Sequence, residues 1–71
     1  MSEAAIEPLL LDAAQAAALC SVSRATWFGW QSAGFAPLPV LRRGRVVRWR
    51  RDELTAWVAA GCPIRDRWQA P

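Results

Sequence analysis

The chain has 71 residues, a formal charge of +3 and 54% hydrophobic residues, which is enough for one small domain but not for a second core. It contains no histidine, and its two cysteines, Cys20 and Cys62, lack the spacing of a metal site, so we expect reduced thiols, no metal and no cofactor. Without histidine or tyrosine, no pair of nucleophile and base can be assigned, and we expect no enzymatic activity.

The N-terminal region does not have the pattern of a leader or a membrane segment. Glu3, Glu7 and Asp12 interrupt its apolar residues, and no apolar run reaches the roughly 18 residues that a membrane span requires. We therefore expect a cytoplasmic protein that has no membrane partner.

The first predicted element is a short, alanine-rich helix that begins after Asp12. Residues 1–10 are acidic and irregular, and we treat them as a mobile lead-in. Asp12 is a good N-cap, and Gln15 can complete a capping box with it. Leu11 can pack on Ala16 as a hydrophobic staple. This helix is expected to supply packing surface and no chemistry.

A second helix is predicted over Arg24 to Ala33, with Ser23 as its N-cap and Gly34 as the residue that ends it. Small and apolar residues before and within it follow the spacing of two helices packed across a tight turn: Ala16, Ala17, Cys20, Val22, Trp27 and Trp30. This spacing is typical of a helix-turn-helix. An ordinary pair of antiparallel helices in another small bundle is the alternative for this segment.

A β-hairpin is predicted next, after a connector over residues 34–39 whose two prolines exclude helix and central strand. Arg43 and Gly44 are predicted to form the turn, because glycine adopts positive φ without steric cost. Val47 and Trp49 suit a half-buried strand. Both arms are short, so the hairpin must pack against the helices to be stable.

A third helix is predicted to begin at Arg50 or Asp52 and to end at Gly61. The residues after Cys62 can form a single helical turn, and Trp68 either folds back on the domain or stays exposed for a partner. The predicted organisation is a lead-in over 1–10, one domain over 11–61 and a C-terminal tail over 62–71.

Arginine is concentrated in and around the predicted hairpin. Six of the nine arginines lie between Val40 and Arg51, and the stretch from Arg24 to Arg51 contains seven arginines and no acidic residue. A surface that is only solvated normally mixes both signs of charge. The block therefore predicts a polyanionic partner, and the alternative is a hairpin whose arginines only keep it soluble.

The order of these features resembles the small phage regulators and excisionases of the AlpA type, within the MerR-like winged-helix superfamily. The resemblance covers Leu11 to Trp57. It rests on residues of the second helix, the connector, the hairpin and the third helix: Ser23-Arg24, Gly34, Pro37, Pro39-Val40, Arg45 to Arg50, Glu53-Leu54 and Ala56-Trp57.

The resemblance implies a fold that is mainly α with a small β-hairpin. This fold is a winged helix-turn-helix, in which two helices, two strands and a third helix follow in that order. It implies that the second helix enters the major groove of double-stranded DNA and that the hairpin, or wing, enters the adjacent minor groove. Three positions depart from the family pattern: Ser21 replaces a turn glycine, Trp27 replaces a smaller aliphatic residue, and Gly29 replaces a long basic residue.

The implied function is that of an architectural protein of the excisionase type, a recombination directionality factor that promotes integrase-mediated excision of a mobile element. The alternative is a transcriptional regulator of prophage or mobile-element genes. Either function implies a prokaryotic or phage-encoded protein associated with the nucleoid. A third hypothesis, of another class, is a protein-binding module whose basic face receives an acidic partner.

Because Trp27 and Trp30 are expected to face the core, the outward-facing residues of the second helix are expected to contact DNA. Arg24 is the expected base reader, through a bidentate contact to guanine. Ala25 or Phe28 is expected to touch a thymine methyl group, and Gln31 is expected to reach an adenine or a phosphate. Ser23 and Thr26 are expected to contact phosphates at the helix N-terminus.

The wing is expected to probe the minor groove with Arg43 and Arg45. Phosphates are expected to lie against Arg42, Arg48 and Arg50. Because one module of this size covers only about 600–1,000 Å², we expect cooperative binding to repeated sites, either head to tail with further copies or with an integrase. The Arg65 to Trp68 segment is the expected protein contact.

Overall fold

The computed structural model describes residues 8–69, which form three α-helices, one short 3-10 helix and a three-stranded antiparallel sheet. In chain order these elements are β1 (Leu10–Leu11), α1 (Ala13–Leu19), α2 (Arg24–Ser32), β2 (Leu41–Arg43), β3 (Val46–Arg50), α3 (Arg51–Ala59) and the 3-10 helix (Arg65–Arg67). The elements after β1 follow in the expected order. No helix in this part of the chain is long and apolar enough to cross a membrane.

The sheet has a strand that the sequence analysis did not predict. β1 pairs antiparallel with β3, with Leu10 opposite Arg50 and Leu11 opposite Trp49, so β3 is the central strand. The predicted hairpin is present as β2 and β3, but the sheet has a third strand, which includes Leu10 from the predicted lead-in. A strand of two residues has no periodicity to detect, and its partner lies far along the chain. Most of the predicted lead-in, residues 1–7, lies outside the described residues.

The hairpin turn lies one residue later than predicted. Arg43 still belongs to β2 and pairs with Val46, so Gly44 and Arg45 are the two turn residues. Gly44 has φ +56°, and positive φ at the first turn position alone is the pattern of a type II′ turn. As a result Arg45, and not Arg43, lies at the tip of the hairpin.

The predicted helix caps are confirmed. The Asp12 carboxylate accepts a hydrogen bond from the Gln15 backbone N–H at 2.8 Å, and the Gln15 side chain accepts one from the Asp12 N–H at 3.0 Å. Ser23 Oγ caps α2 by accepting from the Thr26 N–H at 3.1 Å. Gly34, with φ +74°, ends α2. In the turn between α1 and α2, Ser21 adopts φ +59°, a conformation that is strained for a residue with a Cβ.

Tryptophans form the centre of the core and join α2, β3 and α3. Trp27 packs edge to face against Trp49, with ring centroids 5.4 Å apart. Trp57 packs in the same manner against Trp30 at 6.1 Å and Phe35 at 5.6 Å. Such geometry contributes about 0.5–1.5 kcal/mol per pair beyond area burial, and it fixes α2 against the central strand.

The C-terminal segment packs against the domain. Trp57 Nε1 donates to the Pro63 carbonyl at 2.8 Å, and Arg65 Nε donates to the Ala36 carbonyl at 2.8 Å. Trp68 is half-buried, and its indole N–H donates to a Glu53 carboxylate oxygen at 2.9 Å. Of the two alternatives for Trp68, the structure shows the folded-back one.

Candidate nucleic-acid interface

A groove of about 380 Å³ lies between α2 and the β2–β3 hairpin. Six of the eleven residues predicted to contact DNA line it: Arg24, Phe28, Gln31, Arg42, Arg45 and Arg48. The contact between Trp27 and Trp49 places α2 beside β3. Arg42 lies directly opposite Val47 in the sheet, and Val47 shares a face with Trp49, so Arg42 lies on the face that packs against the helices. The sequence thus brings helix and hairpin arginines together in one concave surface.

On the helix side, Arg24 lies over the ring of Phe28, with Cζ 5.5 Å from the ring centroid. The two residues are four apart on α2, the spacing at which side chains meet. This cation–π contact orients the Arg24 guanidinium while leaving its N–H donors available to a ligand. Phe28 remains 46% exposed, so the pair presents one cation and one aromatic edge to the groove.

Gln31 has a positioning role that the sequence analysis did not predict. Its Nε2 donates to the Pro37 carbonyl at 3.0 Å, and Trp49 Nε1 donates to the same oxygen at 3.0 Å. One carbonyl therefore links α2, the connector and β3. Reading an adenine would require the Gln31 amide nitrogen to leave this bond.

The arginines of the β2–β3 hairpin have few protein partners within residues 8–69. Arg42, Arg43 and Arg45 are exposed, and within residues 8–69 their side chains make no hydrogen bond or ion pair. Arg48 is half-buried, and its Nη1 donates to the Val47 carbonyl at 2.9 Å. The guanidinium groups at the tip are thus available to an external anion.

Five predicted contact residues lie outside the groove: Ser23, Ala25, Thr26, Arg43 and Arg50. The first three are exposed at the start of α2. The Ser23 hydroxyl also donates to Thr26 Oγ1 at 2.9 Å, so both hydroxyl groups take part in the cap. Arg50 is hydrogen-bonded to Asp52 at 2.9 Å, on the face of the sheet away from the groove.

Asp12 lines the groove, and the sequence analysis recognised it only as an N-cap. Together with Arg24, Arg42, Arg45 and Arg48 it gives the groove four guanidinium groups and one carboxylate, a net charge of +3. No local sequence pattern predicts that Asp12 lines the groove, because its place there depends on how α1 packs beside β3. The positive charge is therefore greatest toward the hairpin and smallest at the start of α1.

The two cysteines lie apart from this groove. Both are half-buried free thiols. Burial raises the pKa of Cys20 above its ordinary value, and the nearby Cys62 thiol raises it further. Among residues 8–69, no group of three or more histidine, cysteine or acidic side chains is arranged to hold a metal ion.

No protein-family model, curated protein sequence or solved structure matches this chain. A functional conclusion therefore depends on the residues described above.

Proposed function

We propose that this protein binds double-stranded DNA as a winged helix-turn-helix, with α2 in the major groove and the β2–β3 hairpin in the adjacent minor groove. The observation that supports this proposal is the groove between α2 and the hairpin, where four arginines stand against one carboxylate. DNA is a dense polyanion, and arginine contacts its phosphates bidentately. The phosphates of DNA would therefore neutralise the excess positive charge of the groove.

The dimensions of α2 agree with this arrangement. Its nine residues make a helix about 13 Å long at 1.5 Å per residue. Its diameter of about 10–12 Å with side chains fits a major groove that is about 12 Å wide. Arg24 lies in the first turn, where a recognition helix usually contacts bases. The Gly44-Arg45 turn puts at the tip of the hairpin a guanidinium that has no hydrogen-bond partner among residues 8–69, and an exposed guanidinium suits a narrow minor groove.

Around Ala25 and Gly29 the exposed face of α2 is nearly smooth, which favours shape readout over direct base readout at these positions. Ala25 and Gly29 are small, and a Cβ added at Gly29 would meet nothing within 4 Å. Such a face allows close approach to DNA but supplies few donors to base edges. We therefore propose an architectural role of the excisionase type, in which the wing bends DNA at repeated sites occupied cooperatively by further copies or by an integrase.

The test is fluorescence anisotropy with a short labelled duplex over a range of salt concentrations. For four or five neutralised phosphates, the slope of log K against log salt should be about −4. Arg42→Ala and Arg45→Ala should each weaken binding and reduce the slope by about one. Arg67→Ala is the matched control, since Arg67 is exposed on the 3-10 helix and does not line the groove.

Equal, salt-insensitive binding by all four proteins would refute DNA binding through this groove. The architectural role has a separate readout: energy transfer between dyes at the two ends of the duplex should report bending with wild type, and less bending with Arg45→Ala. Binding without bending would refute the architectural role and leave the interface intact.

A further inference from the structure

The face of the sheet opposite the core has no covering element among residues 8–69. Leu11 and Trp49 are paired and buried, so their neighbours along the strands point the other way. Leu10 lies opposite Arg50 on this outward face. Leu41 lies on it as well, because the next residue of β2, Arg42, lies on the groove face.

A cleft of about 410 Å³ crosses this face, and we call it the outer cleft. It is lined by two pairs of aliphatic residues and by one ion pair: Leu9 and Leu10, Val40 and Leu41, and Arg50 with Asp52. Leu10 is 40% exposed and Val40 is 53% exposed. Adjacent exposed aliphatic side chains in so small a domain indicate an interaction surface.

The ion pair in the outer cleft is one that a ligand can replace. Arg50 Nη2 and Asp52 Oδ2 are 2.9 Å apart, but their side chains are 48% and 71% exposed. Pairs so open to water contribute little to stability. A carboxylate that reached Arg50 between the aliphatic side chains would be shielded from water and could bind the guanidinium bidentately.

We propose that the outer cleft binds a short acidic segment of a partner protein. In that segment a carboxylate pairs with Arg50, and aliphatic side chains on either side of it pack against Leu10 and Val40. Charge supports this choice of partner, because Arg43 and Arg50 lie on the outward face by their strand register, and Asp52 is the one acidic residue among residues 8–69 that lines the cleft. A second copy of the chain would instead bring these arginines together.

This surface is separate from the DNA groove. The groove lies on the face of the sheet that carries Val47 and Trp49, and none of its lining residues also lines the outer cleft. The two ligands can therefore be bound at the same time, and the proposal does not depend on DNA binding.

The probe is a fluorescein-labelled synthetic peptide with one aspartate between two pairs of leucines, flanked by glycine and serine. Anisotropy with the full chain should show saturable binding. A peptide with asparagine in place of the aspartate, and one with serines in place of the leucines, should each bind at least about tenfold more weakly.

On the protein side, Leu10→Ser and Val40→Ser should each weaken binding of the aspartate peptide about tenfold. Leu19→Ser is the matched control, because Leu19 is 45% exposed on α1 and does not line the cleft; it should bind like wild type. Arg45→Ala should also bind the peptide like wild type. Val40 lies outside the strands, so a loss seen with Val40→Ser is not a loss of the β1–β3 pairing.

Three results would overturn the proposal. The first is binding of the aspartate peptide that both serine variants leave unchanged, or no saturable binding at all. The second is displacement of the peptide by short duplex DNA, which would assign the cleft to phosphates. The third is self-association in sedimentation equilibrium that Val40→Ser abolishes, which would assign it to a second copy of this chain.

Discussion

Replacing Arg65 by alanine should destabilise the whole domain, although Arg65 lies in the C-terminal segment. Its Nε donates to the Ala36 carbonyl at 2.8 Å, and its Nη2 donates to the Gln31 carbonyl at 3.3 Å. Ala36 is fully buried, so the substitution leaves a buried carbonyl without its partner. Removing one partner of such a bond costs about 1–3 kcal/mol, and the longer second bond adds little.

A loss of about 2 kcal/mol corresponds to a fall in Tm of roughly 8–16 °C for a domain of this size. Thermal unfolding followed by circular dichroism measures it. Arg67→Ala is the control, because Arg67 lies in the same 3-10 helix, is exposed, and its side chain makes no hydrogen bond or ion pair within residues 8–69. If Arg65→Ala unfolds at the same temperature as Arg67→Ala, the C-terminal segment does not stabilise the domain and the reasoning fails.

Three further predictions concern the turn after α1, the outer face of α2 and one thiol. Ser21→Gly should raise the Tm, because serine at φ +59° costs about 1–2 kcal/mol of backbone strain. The greater flexibility of glycine in the unfolded chain offsets only part of this gain. A lower Tm would contradict the claim that Ser21 is strained. Gly29→Ala should stabilise α2 by about 1 kcal/mol in denaturant unfolding, because a Cβ at this position meets no protein atom within 4 Å, and an unchanged or lower stability would contradict this. Cys20 should be alkylated by iodoacetamide with a midpoint at higher pH than free cysteine, since its raised pKa lowers the thiolate fraction at any given pH; a profile like that of free cysteine, measured by mass spectrometry in a Cys62→Ser variant, would contradict this.

The sequence correctly predicted the structural features whose physical cause is local. The Asp12–Gln15 capping box, the Ser23 cap and the Gly34 helix end each depend on residues within one helical turn, and all three are present. The order of the elements after β1 followed from the same local signals. Strand β1 depends on pairing between Leu10 and Arg50, distant residues that no local pattern connects.

For the candidate site, composition predicted the charge but not its placement. Shifting a strand by one residue reverses the face on which each side chain lies, so the outward position of Arg50 follows from the observed register and not from its neighbours. The Pro37 carbonyl accepts hydrogen bonds from both Gln31 and Trp49. This role could not be predicted either, because no sequence pattern marks a backbone acceptor in a proline-rich connector. Both depend on tertiary packing.

The measurement that tests DNA binding through the groove most directly is nuclear magnetic resonance of the isotope-labelled full chain during titration with a short duplex. The account predicts that the largest changes are in the Nε–H signals of Arg42 and Arg45 and in the backbone amides of α2. Signals from Leu10, Val40 and α3 should stay nearly unchanged. Changes concentrated at the outer cleft, or small changes spread evenly over the chain, would contradict the proposed interface.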